Sequence, residues 1–317
     1  MLTFYNNVVY NWSEYPTHTG SERVHLQWLN NFYKPGPDTP AEVRATGFQF
    51  HGDPLARVYP SGNVIDGDAA ATKDNRRAVG WYEHKFKKAT DEEKAVMIVD
   101  KPFAELPEEM QSAADAYATV LAEVGATLPA RDAADLRIVR GVRDGTGRVV
   151  QKETDLPEDQ RWPDLRSLPA PADSDHDGLP DFWEKQFELN PTDASDAAKI
   201  SADGYANIEH YANNTDPTGR GASIVHIAAT ISRAMKTDPG EWRVTRTGGV
   251  SQALTVHYTM SGDANAGSVT IAAGKTSATI PLQPRAGAGK TVVVTLDAAQ
   301  AAYRVGCPSA SLIVIVP

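Results

Sequence analysis

Three observations predict a mainly β chain. A unit of Asn followed by strand-forming apolar residues recurs at Asn6-Asn7-Val8-Val9-Tyr10-Asn11-Trp12, at Asn30-Asn31-Phe32-Tyr33-Lys34-Pro35-Gly36-Pro37 and at Gly62-Asn63-Val64-Ile65-Asp66-Gly67. Toward the other end, short apolar/polar alternations are separated by Gly-rich turns, the pattern of a β-sandwich. Between these regions, Asp173 to Glu184 carries the spacing of a calcium loop leading into a helix. The predicted chain is therefore a set of solenoid-type coils with short helices, a small Ca²⁺-binding loop-helix segment and a C-terminal β-sandwich.

The coils occupy residues 1–105. Asn7 and Asn31 stand 24 residues apart, a period suited to solenoid coils. Asn tolerates left-handed geometry and bonds its own backbone, which fits tandem Asn to turns between short strands. Identical amides on successive coils can stack as ladders. Residues 106–172 are predicted to form a helical and extended tail packing on the coils. Within it, residues 112–125 have helical spacing, with Ala116, Val120, Leu121 and Val124 on one face, Ser112 as N-cap and Gly125 as terminator. Leu136 to Arg140 begins another short element. The frequent Pro from Asp155 to Pro171 predicts an extended strap lying on a neighbour. Residues 173–216 form an acidic segment, and Thr215 to Gly221 reads as a linker. In residues 222–317, Leu254, Val256 and Tyr258 alternate, as do Ala278, Ile280 and Leu282, then Val292, Val294 and Leu296.

Asp173-Ser174-Asp175-His176-Asp177-Gly178-Leu179-Pro180-Asp181-Phe182-Trp183-Glu184 meets the twelve-residue EF-hand pattern at each important position. Asp173, Asp175 and Asp177 take ligand positions 1, 3 and 5. Gly178 permits the bend, Leu179 offers its carbonyl at position 7, Asp181 fills position 9 directly or through water, and Glu184 is the bidentate carboxylate at 12. Calcium needs six to eight hard oxygens, and this spacing wraps them around one point. Phe182 and Trp183 are predicted to pack against the preceding domain. A decayed second loop follows. Asp203, Gly204 and Asn207 match positions 5, 6 and 9, but Lys199, Ser201 and His210 stand at 1, 3 and 12, and a lysine at position 1 opposes binding. Asp193 or Asp196 could instead lend oxygens to the first ion. Its role is predicted to be structural. At ten times a dissociation constant of order 10⁻⁴–10⁻³ M, an ion adds about 1.4 kcal/mol, enough to order a short segment.

The Asn-marked coils resemble the last coils of the pectate lyases of polysaccharide lyase family 1. The likeness continues at Val99-Asp100-Lys101-Pro102-Phe103, at Ala113, Asp115, Ala116 and Tyr117, and from Arg131 to Arg143. It implies a right-handed parallel β-helix and Ca²⁺-assisted β-elimination on polygalacturonate or pectin, in which the ion acidifies the uronate α-proton and an arginine removes it. In this family the arginine lies in an Arg/Pro stretch just before the coil equivalent to Phe4-Tyr5-Asn6-Asn7, where this chain has Met1. The resemblance therefore assigns no catalytic residue and predicts that the chain alone is inactive, its complement being an N-terminal β-helix half. The segment 173–216 resembles the dockerin-like and thrombospondin-type-3-like Ca²⁺ modules. Trp242 to Gly248, Ala253 to Tyr258, Ser268 to Ile271 and Ser277 to Ile280 resemble Calx-β-like repeats, with Arg285 to Lys290 where Ca²⁺-binding members are acidic. The likeness implies an extracellular or cell-surface protein.

Composition narrows the alternatives. With 41% hydrophobic and 23% charged residues, the 317-residue chain is ordinary for globular protein. No apolar run reaches the ~18 residues of a membrane helix. A net charge of −10 argues against nucleic acid as a partner, and the single Cys307 rules out an intramolecular disulfide framework. Gly287-Ala288-Gly289-Lys290-Thr291 lacks the first glycine of a phosphate loop and reads as a hairpin. Lys85, Lys87 and Lys88, with Arg76 and Arg77, read as a solvated basic surface. His25, Asp53 and Ser61 lack the nucleophile elbow of a hydrolase. Two functions remain: a pectate-lyase-like protein, or a non-catalytic Ca²⁺-stabilised extracellular module for carbohydrate binding or adhesion.

Overall fold

The computed structural model describes residues 1–20, 23–162, 165, 167–231, 233–234, 240–261, 266–282, 291–297 and 301–315. The chain divides into two compact units, residues 1–124 with 137–161, and residues 125–136 with 162–317.

The first unit is built on three short parallel sheets. Leu2–Tyr5, His25–Leu29 and Arg57–Ser61 form one, with Phe4 opposite Trp28 and Trp28 opposite Pro60. Val8–Tyr10, Phe32–Lys34 and Val64–Ile65 form the second. Phe48–Phe50 and Val79–Trp81 form the third, extended by a bridge from His18 to Gln49. Asn6, Asn30 and Gly62 each turn the chain from the first sheet into the second with positive φ, which explains the Asn and Gly of the repeated unit. Trp28, Tyr33, Phe48 and Phe50 fill the interior with no exposure. The Trp28 Nε1–H donates to Tyr33 Oη at 2.8 Å, and that oxygen lies 2.6 Å from Thr17 Oγ1.

The predicted amide ladder is present and longer than expected. Asn31 Oδ1 accepts from the backbone and side-chain nitrogens of Asn7 at 3.0 and 2.9 Å. Asn63 Oδ1 does the same for Asn31, at 2.9 Å from both nitrogens. Asn75 continues it, accepting from Asn63 at 2.8 and 3.1 Å. Asn75 sits on the 3₁₀ turn Asn75–Ala78, outside the repeated unit, and its Nδ2 closes the stack by donating to the carbonyls of Asn63 and Ala71. The rungs at Asn31 and Asn63 pair backbone groups that are otherwise shut off from water.

Ala113–Glu123 is helical as predicted, with Ser112 accepting from the Asp115 N–H. Its Tyr117 packs on Phe32 at 4.4 Å, and Lys34 Nζ donates to Tyr117 Oη. The element predicted from Leu136 is a longer helix, Ala133–Asp144, started by Asp132, whose Oδ1 accepts from Asp135 N–H. The predicted strap from Asp155 to Pro171 contains a helical turn at Glu158–Arg161, and Trp162 and Leu165 are exposed.

In the second unit, two sheets face each other across one core. One runs Arg233–Ala234, Ala310–Ile315, Thr291–Leu296, Leu254–Met260, Ala266–Ile271. The other runs Ser277–Pro281, Glu241–Thr247, Ile224–Ala229, Arg304–Val305. Trp242, Val244, Val256, Val294 and Ile313 are buried between them, with the predicted inward set of Leu254, Ile280, Leu282, Val292 and Leu296. The hairpin expected at Gly287 to Lys290, and the basic replacement at Arg285, lie outside the described residues.

The acidic segment belongs to this unit. Trp183 is fully buried with Leu179, Phe187, Ala197 and Ile224, and Phe182 packs on the sandwich core. The two aromatics thus pack on the domain that follows them, correcting the expectation that they face the preceding one. The reason is local, since the Gln186 amide pairs with both backbone groups of Val305 at 3.0 and 2.8 Å. Asn214, left-handed at the end of helix Asn207–Asn213, pairs in the same way with Cys307 at 2.7 and 2.6 Å.

Candidate metal centre

The loop folds around its own first aspartate. Asp173 Oδ1 accepts from His176 N–H at 2.8 Å and Oδ2 from Gly178 N–H at 3.1 Å. His176 and Gly178 take positive φ, the sharp bend that the glycine at position 6 is there to allow. Asp177 Oδ1 accepts from Leu179 N–H, and the burial of Leu179 anchors the loop to the core. Glu184 projects from the short helix Asp181–Gln186, with no exposure to solvent.

Two groups of carboxylates meet at Asp177. One oxygen from each of Asp173, Asp175 and Asp177 lies within 4.8 Å of the others, and the same holds for Asp177, Glu184 and Asp196. That distance is about twice the 2.3–2.6 Å length of a calcium–oxygen bond, so opposed ligands of one ion would stand that far apart. Both oxygens of Glu184, Asp177 Oδ2 and Asp196 Oδ1 are buried with no hydrogen-bond partner, and those of Asp175 have none of good geometry. Unpaired buried carboxylates cost several kcal/mol each, so the cradle is incomplete without a counter-charge. The protonation chemistry says the same. Burial, then the charges of Asp175, Asp177, Asp196 and Asp181, pushes Glu184 up to about 7. Burial, then the charge of Asp177, raises Asp175. Hard carboxylate oxygens grouped in this way fit a calcium ion.

Asp181, at position 9, is engaged within the loop itself. Both oxygens of Asp181 accept from Ser174, from its N–H at 2.8 Å and its hydroxyl at 2.9 Å, and Lys185 lies 3.6 Å away. These hydrogen bonds with Ser174 hold the Asp181 carboxyl below its ordinary range. Asp196 stands in the cradle instead, oriented by the Asn190 N–H on its other oxygen at 3.0 Å. Asp193, the alternative donor, is engaged with Ser195 at 2.6 Å. The signal for Asp196 in the sequence was only its place in the acidic segment, because the turn that returns it to the loop carries no fixed spacing.

Other sequence features stay apart from any such convergence. The His25 ring stacks on Phe103 at 4.9 Å, and Asp53 pairs with Arg23. Arg76 pairs with Asp100, while Arg77, Lys85, Lys87 and Lys88 are exposed.

Comparison with known proteins gives a consistent lead. No family model matches the chain. It is 28% identical over 222 residues to a "probable pectate lyase C" of Aspergillus terreus, and 29% identical over 220 residues to one of Emericella nidulans. Each match takes in 68% of this chain and 48% of the relative. The chain is thus distantly similar to pectate lyases over two thirds of its length, and spans about half the length of the curated relatives it matches. Among solved structures, an apo-form Calx CBD1 domain aligns with 30% of this chain and 96% of its own, at 14% identity and a TM-score of 0.24, a likeness too slight to carry an argument. No helix among the described residues is long and apolar enough to cross a membrane.

Proposed function

We propose that this chain is a calcium-stabilised portion of an extracellular pectate-lyase-like protein that acts on pectic polysaccharide by β-elimination. The single observation that carries the reading is the similarity to pectate lyases over two thirds of the chain. The in-register parallel sheets and their amide ladder support it. Stacked parallel strands of this kind, here within residues 1–105, are what a right-handed parallel β-helix would be built from. Residues 173–216 form the calcium segment and residues 222–317 a Calx-β-like sandwich.

In the calcium segment, Asp173, Asp175 and Asp177 would hold the ion from the loop, Glu184 from the helix and Asp196 from the returning turn, with the Leu179 carbonyl completing the shell. The ion would supply charge that neutralises the buried carboxylates of Glu184 and Asp196 and the half-buried ones of Asp173, Asp175 and Asp177. The chain's own residues then do the structural work. Asp173 and Asp177 cap the loop, and Leu179, Trp183 and Phe187 key the segment onto Ile224 of the sandwich.

Incubation with polygalacturonate and Ca²⁺, with ultraviolet detection of unsaturated uronates, tests the assignment together with affinity electrophoresis in polygalacturonate gels. The expected result is retarded migration without a rise in absorbance. Unretarded migration would count against the pectic reading. A clear rise would show that residues 1–317 contain the catalytic base.

A further inference from the structure

The second loop keeps the shape of a calcium loop while its ligands are turned to other uses. Gly204 takes φ +93° at the position-6 bend, and Tyr205 donates to Asp203 Oδ1 as a position-7 residue donates to position 5. Ser201 N–H donates to Tyr205 O at 2.8 Å, and Ile200 bridges Ala206, so the loop is closed on itself. The oxygens that would face an ion are already engaged. Ser201 Oγ donates to Asn207 Oδ1 at 3.3 Å, and the Asn207 amide donates to the Asp196 carbonyl at 2.9 Å. Lys199, at position 1, is exposed.

The difference between the loops is sharpest at position 12. In the first loop this is Glu184, buried with both oxygens unpartnered. In the second it is His210, 3% exposed, with Nδ1 2.8 Å from Thr215 Oγ1 and Nε2 3.3 Å from Asp203 Oδ1. The Nε2 contact is not aligned as a hydrogen bond, yet it places the imidazole edge where a metal would meet Asp203. When the Thr215 hydroxyl donates to Nδ1, neutral imidazole carries its proton on Nε2, facing the carboxylate.

We propose that His210 closes the second loop as a built-in substitute for calcium. The segment then takes one ion rather than two, and residues 199–215 keep their fold when metal is removed. The count of one rests on the first-loop reading above, whereas the independence of residues 199–215 from metal does not.

Native mass spectrometry and calorimetric titration of the full chain with Ca²⁺ test this, with hydrogen exchange measured in chelator. The expected stoichiometry is one for the wild type and two for the triple variant Lys199→Asp, Ser201→Asp, His210→Glu. Asp203→Asn is expected to leave the count at one while exchange in residues 199–215 rises with or without calcium. A wild-type count of zero with one ion gained by the triple variant would remove the first-loop reading and uphold this one. A wild-type count of two that Asp203→Asn reduces to one would overturn it. So would residues 199–215 losing protection in chelator as fully as residues 173–184, or Zn²⁺ binding to the wild type that His210→Ala abolishes.

Discussion

Glu184→Gln is expected to lower calcium affinity by about two orders of magnitude or more, because it removes the one ligand able to supply two oxygens and a full charge from inside the cradle. The same change is expected to help the ion-free protein, since a neutral amide replaces a buried carboxyl surrounded by four others. The pH dependence follows from the raised pKa. Folded, ion-free Glu184 titrates at about 7, against an ordinary value of 4.5. Between those values the folded state holds a proton that the unfolded state has released, so stability falls as pH rises from about 4.5 to about 7 and then levels. Saturating Ca²⁺ selects the ionised form and is expected to abolish or reverse that slope. Thermal unfolding from pH 5 to pH 8, with calcium and with chelator, reads both effects. Glu184→Gln should flatten the chelator curve. An unchanged slope in the variant would mean that another group sets it.

Asn63→Ala is expected to destabilise the first unit by about 3–5 kcal/mol, the largest effect of any single substitution in the ladder. The amide is fully buried and serves both neighbours. Its Oδ1 accepts two hydrogen bonds from Asn31, and its Nδ2 donates to the Trp28 carbonyl at 2.7 Å and to Asn75. Truncation leaves several buried groups unpaired, each worth about 1–3 kcal/mol and not fully additive. Asn7→Ala, at the partly exposed start of the ladder, removes one donor that serves Asn31 and the Tyr5 carbonyl and should cost about 1 kcal/mol. Denaturant unfolding of the two variants checks the contrast. Equal costs would mean that the ladder does not act as a connected stack.

Much of the fold was legible in the sequence because its signals are local. The Asn or Gly at Asn6, Asn30 and Gly62 marks a left-handed turn, and the alternation at Leu254, Val256 and Tyr258 marks a strand with one buried side. Asn75 was invisible because it joins the ladder from a 3₁₀ turn, with none of the coil unit around it. The helix at Ala133–Asp144 was read short because its capping Asp132 lies before the apolar spacing begins. At the candidate site, the loop spacing identified Asp173, Asp175, Asp177 and Glu184 as a convergent set, since these residues sit on one continuous turn. It could not show that Ser174 captures Asp181, a competition between neighbours within the same loop. Nor could it show that Asp196, beyond a turn of unfixed length, stands in the cradle.

Calcium titration of the wild type, Asp196→Asn and Asp181→Asn, followed by terbium luminescence sensitised through the buried Trp183, tests the five-carboxylate cradle most directly. The expected result is single-site binding that Asp196→Asn weakens about tenfold or more and Asp181→Asn leaves within a few-fold. Strong loss from Asp181→Asn with none from Asp196→Asn, or no binding by the wild type, would contradict it.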